Sequence, residues 1–196
     1  MNSPFFLLLG LLTCASTSWA QSGPASAGLY RSADDFRRQQ LTMETNCQQA
    51  PFRVRLHEFG ARSYITVIHQ GRKDTLAKAA VYGYRDRDGR EYRLANNQRF
   101  PILNPGEEVL LYKLEQATVG KNLGYVRLYF SATAASPFQP LTLLNLKRAF
   151  PTNLRLHEML DAQFPAGRNL ADLDEFHGMT RLNWLLQRSY ALAEAR

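Results

Sequence analysis

From Pro51 to Ser131, apolar side chains recur at every second position in short runs separated by turn residues. Phe52, Val54 and Leu56 alternate with Arg53, Arg55 and His57, and Tyr64, Thr66 and Ile68 alternate with Ile65 and Val67. Ala80, Tyr82 and Tyr84 alternate with Ala79, Val81 and Gly83; Tyr92 and Leu94 alternate with Glu91 and Arg93; Tyr125, Arg127 and Tyr129 alternate with Val126, Leu128 and Phe130. A period of two sends successive side chains to opposite faces, so each run predicts a strand with one face in a core. The first strand, on this reading, turns a basic face to water. Val109 to Leu114 is apolar enough for a strand with at least one well-covered face. The turns agree with the strands: Asp86-Arg87-Asp88-Gly89, Asn96-Asn97 and Asn104-Pro105-Gly106 interrupt the pattern, and Gly89 can take the positive φ that closes a short hairpin. Gln70 to Asp74 reads as a turn and Glu115 to Leu123 as a polar loop. Phe52 to Leu56 and Arg62 to His69 predict a hairpin. Connections are short and no helical pattern intervenes, so the region predicts about six or seven antiparallel strands.

Outside this region the period lengthens. Ser32 ahead of Ala33-Asp34-Asp35 has the spacing of a capping box, which predicts a short helix to about Leu41 with Phe36 on its apolar side. After the small, proline-containing stretch Ala132 to Pro140, Leu141, Leu144, Asn145 and Arg148 mark helical turns, widened by Leu143, Leu146 and Phe150. Pro151 ends that helix. Thr152 or Asn153 caps the next, which carries Leu156, Met159, Leu160 and Phe164 on one side and stops at Pro165-Ala166-Gly167. Asn169 and Asp172 are read as caps of a last helical region with Leu170, Leu173, Phe176, Leu182, Leu185 and Leu186, which Gly178 can divide in two. The expected fold class is α+β: an antiparallel β-meander sheet or partly closed barrel with a short N-terminal helix and a C-terminal helical segment. One domain is expected over 29–196, β-rich at 51–131 and helical at 139–194.

The first twenty residues differ in kind. Phe5 to Leu12 is an almost unbroken apolar run followed by small and polar residues ending in Ser18-Trp19-Ala20, the layout of a signal peptide cut after Ala20. A transmembrane anchor needs about 20 apolar residues, more than this run supplies. Cys14 raises a lipoprotein signal, but Leu12 and Thr13 stand where such signals want small residues. Gln21 to Gly28, rich in Ser, Ala, Gly and Pro, reads as a flexible lead-in. Cleavage leaves Cys47 as the mature chain's sole cysteine, so no intramolecular disulfide is expected; burial and pairing between chains stay open. The net charge of +7 then belongs wholly to the mature chain. In the cytosol such a charge points to nucleic acid; export redirects it to lipid head groups or anionic glycans in the periplasm, the envelope or the medium.

Gly28 to Phe36, Tyr82-Gly83-Tyr84-Arg85-Asp86, Tyr92-Arg93 and Leu146 to Pro151, together with the export signal, resemble a group of uncharacterised exported bacterial proteins. The resemblance covers most of the mature chain and implies no activity, cofactor or site residue.

No catalytic or metal-binding residue is nominated, and no cofactor is expected. His157-Glu158-Met159-Leu160-Asp161 has Asp161 where a helical zinc-protease signature needs its second histidine. Asp86 to Glu91 resembles a calcium loop but is short and brings Arg87 and Arg90 to the metal position. His57, His69 and His177 lack ligand-spaced neighbours, and neither a phosphate loop nor a G-x-S-x-G elbow occurs. The positive signal is the interleaving of Tyr82, Tyr84, Arg85, Tyr92, Arg93, Arg127 and Tyr129, with Tyr112 and Tyr125. These residues can lay rings and guanidinium groups on one sheet face suited to a sugar or an anion. The competing structural reading is that tyrosines form strands well and that cross-strand Tyr–Arg pairs stabilise a sheet by about 0.2–1 kcal/mol each. The expected function is an exported, non-catalytic envelope or secreted protein that binds an anionic or glycan partner through this set. The alternatives are a hydrolase with a loop-assembled site and a purely structural envelope component.

Overall fold

The computed structural model describes residues 26–194 apart from 59, 61, 117–124 and 168. The expected signal peptide, residues 21–25 of the expected lead-in and most of the expected polar loop lie outside the described residues. In chain order the elements are β1 (Ser26–Tyr30), α1 (Ala33–Arg37), β2 (Thr42–Asn46), β3 (Arg53–Arg55), β4 (Tyr64–His69), β5 (Arg72–Ala77), β6 (Gly83–Arg85), β7 (Glu91–Ala95) and β8 (Gln98–Pro101). They continue with β9 (Leu110–Gln116), β10 (Tyr125–Ser131), β11 (Gln139–Pro140), α2 (Leu143–Ala149), α3 (Leu154–Gln163), β12 (Leu173–Asp174), β13 (Met179–Thr180) and α4 (Arg181–Glu194). The fold is mixed α and β, and its named strand pairs are antiparallel.

Two-residue alternation does produce antiparallel pairing, but the strands are divided among open sheets and do not close into a barrel. One sheet has the order β2-β1-β6-β7-β8, a second β3-β4-β5, a third β11-β10-β9, and β12-β13 form a small hairpin. A bridge between Ile102 and Tyr112 carries the chain from β8 to β9. Ser26 to Gly28, expected to end a lead-in, instead open a strand lodged between β2 and β6. Small residues are required there: a Cβ on Gly28 would stand 2.9 Å from Leu41 Cβ and 3.0 Å from the Thr42 carbonyl oxygen.

Local chemistry sets most element boundaries. Ser32 Oγ accepts from Asp35 N at 3.1 Å and the Asp35 carboxylate accepts from Ser32 N at 3.0 Å, completing the capping box. The helix stops at Arg37, short of the expected Leu41, because Gln39 takes a left-handed φ of 55°. Gln70 and Gly71, at φ 45° and 75°, close a two-residue hairpin, so Arg72 to Asp74 begin β5 rather than extending the turn. Asn96 and Asn97, at φ 48° and 62°, do the same between β7 and β8. Near the C-terminus, Gly178 at φ 66° and a bond from its N–H to the Asp174 carbonyl shape the β12–β13 hairpin where continued helix was expected. Helix resumes only at Arg181.

Three apolar clusters hold these parts together, and alternation along two strands assigns them. Ala27 and Leu29 of β1 pack with Phe52, Leu56, Ile65 and Val67 against the inner face of β3-β4-β5. Tyr30 turns to the other side and meets Phe36, Phe100, Ile102, Leu110 and Tyr112. Leu111, one residue on from Leu110, joins Val109 and Phe130 under Leu146, Leu156, Leu160, Phe164, Leu182, Leu185 and Leu186. The helices thus cover one face of the β9–β10 pair and α1 lies by the other. Cys47 is half-buried beside the first of these clusters.

Candidate functional site

The seven residues nominated from sequence occupy opposite faces and separate sheets. Tyr84 and Tyr92 are cross-strand partners, stacked with ring centroids 4.8 Å apart in the cluster beneath β3-β4-β5. Burial raises both phenols above the ordinary tyrosine value. Arg85 and Arg93 pair across the sheet with Glu91 and Gly83, on the opposite face. The Arg93 guanidinium sits 4.5 Å from the Phe138 ring centroid and 5.0 Å from that of Tyr82, and it donates to Tyr112 Oη at 3.1 Å. Tyr82 donates to the Ala134 carbonyl at 3.0 Å, and burial raises its phenol. On β10, Tyr129 meets Phe100 edge-on at 5.8 Å, while exposed Arg127 lies 4.6 Å over Tyr125. Tyr82 and Arg93 are therefore brought together, as are Tyr84 and Tyr92, but the set is not one open platform. Alternation separates Tyr84 from Arg85 and Tyr92 from Arg93, because a one-residue step along β6 or β7 changes face, whereas Tyr82, just ahead of β6, lies with Arg93 on the side opposite Tyr84.

Arg85 borders a cleft of about 980 Å³ that is also lined by Phe36, Gln39, Glu91, Glu108 and Thr133. Glu91 is 4 % exposed. Its Oε1 accepts from Tyr30 Oη at 2.6 Å and from Arg85, whereas its Oε2 has no hydrogen-bond partner. Burial, and then this bond to Glu91, push the Tyr30 phenol well above its usual range.

A group of exposed cations lies elsewhere, on the outer face of β3-β4-β5. Because Ile65 and Val67 point into the core, Tyr64, Thr66 and Ile68 point out. Register places Arg53 and Lys73 on either side of Ile68, and Arg55 and Thr75 on either side of Thr66. Arg53, Arg55, Lys73 and Thr75 are exposed. At the end of the face, Arg62 donates to Tyr64 Oη at 2.7 Å, and the His57 ring lies 5.1 Å from that of Tyr64. His57 reaches back over the sheet at φ 54°, and its Nε2 is 2.9 Å from Thr66 Oγ1. Among the described residues Arg53, Arg55, Arg62 and Lys73 enter no salt bridge. Alternation signalled Arg53 and Arg55; Lys73 was missed because the tight Gln70-Gly71 turn was read as longer than it is.

The histidines are scattered. His69 Nε2 meets Asp74 at 2.7 Å, His157 Nε2 meets the Phe150 carbonyl at 2.9 Å, and His177 Nδ1 meets Asp174 at 3.0 Å. The His177 contact holds the Asp174 carboxyl below the usual range. Asp161, four residues after His157, is bound to Lys147 at 2.6 Å. Asp86, first residue of the calcium-like stretch, accepts instead from the backbone N–H groups of Asp88 and Arg90, both at 2.9 Å. Among the described residues no group of His, Cys, Asp and Glu is arranged to hold a metal, and no helix is long and apolar enough to cross a membrane.

Fold and surface together define a mixed α/β protein of open antiparallel sheets in which the outer face of β3-β4-β5 carries exposed Arg53, Arg55 and Lys73. Comparison with protein-family models, curated proteins and solved structures gives no match.

Proposed function

We propose that this chain is an exported, non-catalytic binding protein of the periplasm, envelope or medium whose anionic partner docks on the outer face of β3-β4-β5. One observation carries the reading: Arg53, Arg55, Arg62 and Lys73 share one sheet surface, all exposed and none engaged by a carboxylate among the described salt bridges. Like charges held side by side repel, and an anion laid across them relieves that repulsion. Tyr82, Tyr84, Tyr92 and Arg93 enter this reading as scaffold, since they are packed against one another and their neighbours. Arg127 is exposed on a different sheet and contributes only long-range attraction.

The test is binding to inorganic polyphosphate as a function of salt. Replacing Arg53, Arg55 and Lys73 together by Gln should weaken binding at least about tenfold and flatten its dependence on ionic strength. Arg37→Gln, at an exposed site on α1, should change little. Equal binding by the wild type and the triple variant would remove the proposal.

A further inference from the structure

We infer that the occupant of this basic face is a linear anionic polysaccharide lying along β4; the inference rests on the reading just given. The face is floored by the outward column Tyr64, Thr66 and Ile68; Thr66 is buried under the His57 ring, whose Nε2 is 2.9 Å from its Oγ1, so the accessible floor is the half-buried Tyr64, His57 and Ile68. Its banks are Arg53 and Arg55 on β3 and Lys73 and Thr75 on β5, all exposed. Neighbouring strands lie about 4.8 Å apart, so the banks are about 10 Å apart at the backbone, a width suited to a single extended polymer strand. Arg53 and Arg55 are successive outward residues and so stand about 7 Å apart, a spacing that serves a polymer bearing regularly repeated charges along its length.

The groups between the cations favour sugar over other anions. A bare polyphosphate needs only charge. A sugar unit also offers hydroxyls and apolar ring edges, and the floor supplies counterparts to both. Tyr64 presents an aromatic ring and a hydroxyl at one end, with the Arg62 guanidinium 5.7 Å from its ring centroid, and Ile68 presents an apolar surface at the other. Between them, Thr75 is an exposed hydroxyl facing Thr66. A lipid bilayer fits less well. Its docking is strengthened by exposed apolar side chains that enter the acyl boundary. Among the described residues no exposed large apolar side chain lies on β3, β4 or β5.

Heparin oligosaccharides and oligogalacturonate, one sulfated and one carboxylated, are the probes, each titrated beside inorganic polyphosphate and phosphatidylglycerol vesicles. At least one oligosaccharide should bind, with affinity rising as it lengthens to span the face, and its uncharged analogue, desulfated or methyl-esterified, should bind at least about tenfold more weakly. Tyr64→Ala should lower oligosaccharide affinity about fivefold and polyphosphate affinity by clearly less, with a thermal unfolding transition to show that the variant is folded. Tyr64→Phe, which keeps the ring, should retain most of the affinity. Binding of polyphosphate or vesicles with no oligosaccharide binding, or an oligosaccharide affinity insensitive to Tyr64→Ala, would overturn the polysaccharide inference and leave the anionic-partner reading standing. No binding to any anion would end both.

Discussion

Arg85 donates from Nε at 3.0 Å and Nη2 at 2.7 Å to one carboxylate oxygen of Glu91, its direct partner across the β6–β7 pair. The two side chains are unequally placed: that of Glu91 is 3 % exposed and that of Arg85 23 %. Removing the arginine strands a carboxylate in the interior, whereas removing the glutamate's charge lets the guanidinium turn toward water. Arg85→Ala should therefore cost about 3–5 kcal/mol, the scale for breaking a buried pair. Glu91→Gln, which keeps an acceptor for Tyr30, should cost clearly less. Urea unfolding of both variants checks the order, and equal losses would contradict it.

Asn183 fastens the last helix to the start of β9. Its Oδ1 accepts from Val109 N at 2.8 Å and its Nδ2 donates to Val109 O at 2.9 Å, all buried. Asn183→Leu leaves the Val109 N–H unpaired in an apolar setting, at a cost of about 1–3 kcal/mol. Hydrogen exchange should report faster opening at Val109 and along α4 than in β3-β4-β5. Uniformly accelerated exchange would mean that Asn183 does not hold α4 locally.

Two glycines separate steric from torsional strain. A Cβ at Gly83 would collide with the Tyr92 carbonyl oxygen, which belongs to backbone and has no free rotor to move it aside. A Cβ at Gly89 meets nothing within 4 Å, but φ there is +77°. Gly89→Ala should cost about 1–2 kcal/mol, the left-handed penalty for an L residue. Gly83→Ala should cost more, or yield little folded protein. Thermal melts showing Gly83→Ala the milder change would refute this assignment.

The tyrosines give the fold an alkaline limit. Burial is the first cause of the raised values at Tyr30, Tyr82, Tyr84 and Tyr92. A group whose folded pKa exceeds its unfolded value, about 10 for tyrosine, keeps in the native state a proton that the unfolded chain releases. This contribution is fully present below pH about 10 and is lost as pH rises through the folded values. Stability should fall above pH about 10, and tyrosinate absorbance should develop in two stages, exposed rings first and buried rings together with unfolding. A single early rise with the fold intact would disprove the buried-phenol account.

What could be read from the sequence is what closes within a few residues. Ser32 and Asp35 cap each other three positions apart, Gly89 turns the Asp86–Arg90 hairpin, and period two marks the strands that Phe52, Tyr64, Tyr92 and Tyr125 announce. Those signals are local because the hydrogen bonds and side-chain directions that create them are local. The pairing of β1 with β6, Gly28 opposite Arg85, left no such trace. Its small residues answer to Leu41 and Thr42, which the chain brings close only on folding.

The candidate site divides in the same way. In sequence, Arg53 and Arg93 look alike, each an arginine alternating with apolar neighbours. In the structure Arg93 is packed among Tyr82, Tyr112 and Phe138, while Arg53 is exposed. The chain by itself marked most of the strands between Phe52 and Ser131 and the alternation within each regular one, as at Arg53, Val54 and Arg55. Tertiary structure alone decided which faces are covered, because β7 lies between two apolar clusters and β3 rests on only one, and covering is the work of residues far away along the chain.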